Sequence, residues 1–157
     1  MRTLLLSMVG VALLTGCETA RVPASHSLED PSRFRYTRVY CTPDNETHFA
    51  EAGVEFTKVS FAPPAAPIYI SGSQPASSVF FARLEPRAGA DDLAKHLNHP
   101  APALLFVAVL AGSFSITTTD GETRRFHVGD VIRAEDVAPC KGHITVDDGS
   151  GFVMFAR

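Results

Sequence analysis

The second half of the chain is cut by turn signals into runs too short for anything but strands. "ALLFVAVL" stops at Ala111-Gly112 and is followed by "SFSITTT". Asp120-Gly121, a strong hairpin signal, leads into "ETRRFHV", and Gly129-Asp130 turns that into "VIRAED". The loop "VAPCKG" then precedes "HITV", and "DDGSG" gives the last turn before "FVMFAR". Glycine and aspartate return every few residues between β-branched and aromatic runs, which predicts an all-β sandwich or barrel. "ALLFVAVL" is apolar at successive positions, as expected of a strand covered on both faces.

The first half continues the pattern less regularly. "YTRVYC", "GVEFTKVSFA" and "SSVFFARLE" read as strands, with "DNETHF" a turn leading into another. "FAPPAAPIYISGSQPAS" holds too much proline for a central strand and is expected to be an extended connection. Only "DDLAKHL", Asp91 to Leu97, has helical spacing, enough for a turn or two. Residues 36–157 therefore form one β domain of ordinary size, able to bury a core.

The chain opens "MRTLLLSMVGVALLTGC". Arg2 precedes an apolar run from Leu4 to Leu14, and small residues lead to Cys17. That is a secretory leader, too short for a comfortable membrane span. Leu14-Thr15-Gly16-Cys17 resembles the bacterial lipobox, which implies a signal peptide over 1–16 and a lipidated, N-terminal Cys17. The resemblance implies a cell-envelope protein facing the periplasm, with Glu18 leaning towards the outer membrane. Residues 17–35 carry Pro, Ser and charges without apolar rhythm and are expected to be a tether of roughly 20–25 Å reach, with His26 a solvated part of it. Without Arg2 the chain's 14 Lys+Arg fall to 13 against 17 Asp+Glu, a net charge of −4. Nothing in that balance suits nucleic acid.

From Phe106 to Asp136, "FVAVLAGSFSITTTDGETRRFHVGDVIRAED" resembles a cupin, the small jelly-roll β-barrel family, most strongly over 101–143 and back to Arg38. "ETHF" and "KGH" are similar to segments of an uncharacterised bacterial cupin group. The resemblance implies a cupin-type jelly-roll β-barrel and a cavity at its mouth. It also implies where a metal should be held, and there the chain departs from the family. The glutamate position, seven residues before Gly112, holds Leu105. Gly121 and Gly129 match the second motif, His127 replaces its proline, and Ile132 replaces its ligand histidine. His99 lies near the first histidine pair, which is absent. No cofactor is expected at the inherited site. The alternative is a relocated zinc, iron or manganese ion on His48, His99 and His143, three imidazoles being enough in principle.

His48, His99 and His143 are thus the candidate pocket. His96 and His127 read as surface residues. Glu135 and Asp136 beside the "VAPCKGH" loop read as a solvated loop entrance, with support of His143 as the other option. Arg124 and Arg125 should face opposite sides of a hairpin strand. With Cys17 lipidated, Cys41 and Cys140 remain in an oxidising compartment. They form either a disulfide clamping the first strand to the "CKGH" loop or two unpaired thiols, since spacing does not fix geometry. Three functions stay open: a lipid-anchored module binding a small polar molecule or glycan, a metal-dependent or histidine-based envelope enzyme of isomerase or dioxygenase type, and a structural interaction lipoprotein. Cupin habit adds a homodimer as a partner option.

Overall fold

A computed structural model describes residues 34–85 and 98–157. The signal peptide, Cys17, the tether with His26, and the expected helix with His96 lie outside the described residues. The described chain is all-β. Its strands are β1 (Phe34–Cys41), β2 (Thr47–Val54), β3 (Phe56–Val59), β4 (Ile68–Ser71), β5 (Val79–Leu84), β6 (Leu105–Ala111), β7 (Ser113–Thr117), β8 (Thr123–His127), β9 (Val131–Ala134), β10 (Ile144–Asp147) and β11 (Gly151–Ala156). Among the described residues no helix is long and apolar enough to cross a membrane.

Six strands form one sheet in the order β2-β1-β9-β6-β11-β5, and three form a second, β10-β7-β8. β1 runs parallel to β9, and the other pairings are antiparallel. Neither sheet closes on itself. From β6 onwards the chain passes repeatedly between them: β6 in the large sheet, β7 and β8 in the small, then β9, β10 and β11 alternately.

Side-chain alternation builds the core. Leu105, Val107 and Val109 of β6, with Val39, Ile132 and Val153 from neighbouring strands, meet Phe114, Ile116 and Phe126 of the small sheet in one buried cluster. Ile132 and Val153 are each 1% exposed. The other face of β6 is only partly covered, as Leu110 remains exposed and Phe106 packs edge-on against Tyr36 at 5.5 Å. Arg124 lies over the Phe49 ring at 4.7 Å, while Arg125 pairs with Asp148.

Two expectations are corrected in the first half. "GVEFTKVSFA" is not one strand, because β2 ends at Val54 and β3 begins at Phe56. β3 pairs with β4, whose residues lie in the proline-rich stretch expected to be a bare connection. Pro63, Pro64 and Pro67 sit in the loop before β4 and Pro75 lies after it, so none interrupts the ladder.

A histidine pair at an apolar cavity

The loop after β9 returns towards the β1–β2 turn, and four contacts fasten it there. Cys41 and Cys140 are joined in a disulfide, Cα to Cα 5.9 Å. Lys141 N–H donates to Asn45 O at 3.0 Å, and the Lys141 ammonium pairs with Glu46. Thr47, fully buried, donates its hydroxyl to Gly142 O at 2.7 Å. Asn45 takes a left-handed conformation (φ 66°) in this turn, a geometry asparagine tolerates better than most residues. His143 is therefore delivered from a backbone held on its N-terminal side.

On its other flank His143 meets His99. The two exchange backbone hydrogen bonds, His99 N–H to His143 O at 3.0 Å and His143 N–H to His99 O at 3.1 Å. Their rings lie 4.8 Å apart, centroid to centroid. Gly142 makes this approach possible. A Cβ there would sit 2.1 Å from the His99 carbonyl carbon, and its φ of +82° already disfavours a side chain.

His143 Nδ1 lies 2.6 Å from Asp136 Oδ2, and Asp136 is fully buried. This corrects the solvated reading of Glu135 and Asp136. Glu135 pairs with Arg38 and Arg133, and it holds the Arg38 guanidinium above its usual range through the hydrogen bond they share. Asp136 turns inward, with its backbone carbonyl accepting from Ala101 N–H at 3.1 Å. Asp136 Oδ1 has no hydrogen-bond partner among the described residues. An ionised carboxylate only accepts, so Nδ1 carries the proton of the pair and a neutral ring keeps its lone pair on Nε2.

His99 and His143 both line a cavity of about 280 Å³ between the sheets. Of its lining residues only His99, His143 and Thr145 have polar side chains; the rest are apolar, including Phe80, Leu84, Phe114 and Phe155. Asp136 is not in the lining, although its carboxylate holds His143 Nδ1. Leu105 and Ile132, the positions where the cupin resemblance leads one to expect metal ligands, are both in the wall.

His48 does not join this pair. Its Nδ1 lies 2.7 Å from Asp120 Oδ2, and its ring packs 5.8 Å from Tyr40. Asp120 is held below the usual carboxylate range by hydrogen bonds from Thr118 and the Glu122 N–H, with His48 adding to the effect. Of the three histidines of the expected relocated site, His99 and His143 share the cavity wall, and Leu105 and Ile132 beside them offer no donor. Among the described residues no group of three or more His, Cys, Asp or Glu is placed to hold an ion. Sequence reasoning gave Asp136 only a secondary role and missed Thr145, whose single signal is its place two residues after His143 on β10.

These features define a small all-β fold of two facing sheets with an apolar cavity lined in part by His99 and His143, the latter held by buried Asp136. No protein-family model matches the chain, and no curated protein is significantly similar to it.

Proposed function

We propose that the chain is a lipid-anchored envelope protein of cupin type whose cavity binds a small, mainly apolar molecule carrying one hydroxyl or similar donor. The observation that carries this reading is the apolar lining with His143, oriented by buried Asp136, as its chief polar group. The expectation of a polar ligand or glycan gives way here on physical grounds, because a sugar would lose hydration to walls that return almost no hydrogen bonds. A cavity of about 150 Å³ takes benzene, so 280 Å³ scales to a ligand of roughly eleven non-hydrogen atoms. Its donor would meet the His143 Nε2 lone pair, and Thr145 offers a second polar contact. Support for the jelly-roll comes from strand order: β5-β11-β6-β9 against β10-β7-β8, with the chain crossing between the sheets, matches two wrapped Greek keys. Support for the anchor comes from the "LLTGC" leader alone.

A second reading is favoured by Asp136 itself. A buried carboxylate orienting an imidazole is also how a general base is set up, so a histidine-based enzyme acting on the same ligand class uses the same residues. Calorimetric titration of the full chain with decanol, with a phenol of similar size and with glucose separates the ligand classes. Binding of decanol or the phenol is expected, weakened about tenfold by Asp136→Asn through one disturbed hydrogen bond. Binding of glucose alone would overturn the reading. Turnover of the bound alcohol or phenol would move the conclusion to the enzyme.

A further inference from the structure

The β3–β4 hairpin takes no part in the cavity and belongs to neither large sheet. Its strands pair only with each other, in the register Val59 to Ile68 and Phe56 to Ser71. Its base, at Phe56 and Ser71, lines a pocket with Tyr36, Phe106 and Met154 of the large sheet, while its tip stays exposed. From Val59 to Ser71 the sequence is "VSFAPPAAPIYIS", thirteen residues without a charge. Every residue from Ser60 to Tyr69 is exposed, including Phe61 at 69%, Tyr69 at 64% and Ile68 at 46%. The nearest charge is Lys58, whose ammonium lies 5.8 Å from the Tyr69 ring centroid.

We propose that this hairpin is a membrane-docking element, its tip seated in the interfacial layer of the bilayer to which the chain is tethered. The proposal rests on the anchored part of the functional reading. Phe34, where the described domain begins, follows Cys17 by sixteen intervening residues. Were those residues the coil expected from their composition, their root-mean-square span would be roughly 20–25 Å. At that distance the hairpin meets the bilayer as an intramolecular partner, so even weak docking is populated. Composition selects lipid as the occupant. The tip is an exposed, uncharged loop of proline, alanine and aromatic residues. Tyrosine and a neighbouring lysine at its base are the residue types that settle at the headgroup level. The loop backbone needs hydrogen-bond partners, which confines it to the hydrated interface and keeps it out of the hydrocarbon.

The chain has no tryptophan, so Phe61→Trp introduces a single fluorophore at the tip. The experiment uses the lipidated full chain in phosphatidylethanolamine–phosphatidylglycerol vesicles with brominated acyl chains. Val128→Trp, at an exposed position in the β8–β9 turn, is the reference, and Tyr69→Trp a second probe should the first disturb folding. The Phe61→Trp emission is expected to shift to the blue and lose most of its intensity to bromine, while that of Val128→Trp stays unquenched. Emission at the tip unchanged from water would overturn the proposal. So would equal quenching at both positions, or a blue shift without quenching, which would mean a second copy covers the hairpin. Vesicle flotation of the wild-type and Cys17→Ser chains reports the anchor separately. Quenching at the tip of the Cys17→Ser chain would support the hairpin even if the anchor fails, and a lipidated chain without quenching would leave the anchor standing and reject the hairpin.

Discussion

Replacing Gly142 with alanine isolates how much the histidine pair depends on a missing side chain. Two costs arise at this position. The first is conformational: φ is +82°, and a non-glycine residue in the left-handed region costs about 1–2 kcal/mol. The second is steric. The new Cβ would meet His99 C, His99 O and Pro100 N at 2.1, 2.2 and 2.3 Å, all backbone atoms that cannot rotate away. The segment has to retreat by more than an ångström, and both His99–His143 backbone hydrogen bonds are lost, at about 0.5–1.5 kcal/mol each. A total of about 2–5 kcal/mol follows, mostly local to the site. Gly121→Ala supplies the control, since its φ is +87° but nothing lies within 4 Å of a Cβ. That variant should lose only the conformational term. Urea denaturation of both variants and the wild type, with slopes compared, gives the two numbers. The ligand titration should fail for Gly142→Ala and survive in Gly121→Ala. If the two variants differ by less than about 0.5 kcal/mol, within ordinary surface-substitution scatter, the close approach does not govern the site.

Two further outcomes are expected. Removing both halves of the Cys41–Cys140 bond with Cys41→Ser and Cys140→Ser should lower stability by about 2–4 kcal/mol, short of the entropic figure of ~4.7 kcal/mol for a loop near 100 residues. Thiol counting on wild-type protein denatured without reductant should find neither cysteine reactive, and two reactive thiols would refute the pairing. Asp120 gives a pH signature. Its carboxyl is depressed by Thr118, the Glu122 N–H and His48, so its contribution is complete above the unfolded value near pH 4 and is lost as pH falls through the lower folded value. The stability gap between wild type and Asp120→Asn should therefore shrink as pH falls below about 4, and a gap unchanged in acid would refute the assignment.

Legibility in the sequence followed the glycines. After Pro102 each strand was readable because Gly112, Gly121 and Gly129 all take positive φ and mark the turns unambiguously. Before Pro102 the break at Glu55 carries no glycine or proline, and β2 and β3 share the same β-branched and aromatic composition, so they read as one strand. Leu105 and Ile132 were legible as apolar strand residues. That both would stand in one cavity wall with His99 and His143 depends on which faces of two sheets meet, which no local spacing reports. Asp136 was the hardest case. "RAED" at a strand end looks solvated, and only the fold of the next seven residues brings His143 back over it.

The place of β11 bears on how the large sheet is held together. This strand lies inside the six-stranded sheet, bonded to β6 on one side and β5 on the other, with Val153 in the core and Arg157 O receiving the Ser78 N–H. Without β11 there is a gap in the middle of that sheet, between two strands with nothing to join them. A change that unseats β11 therefore releases β5 as well, since β11 is the partner through which β5 joins the sheet.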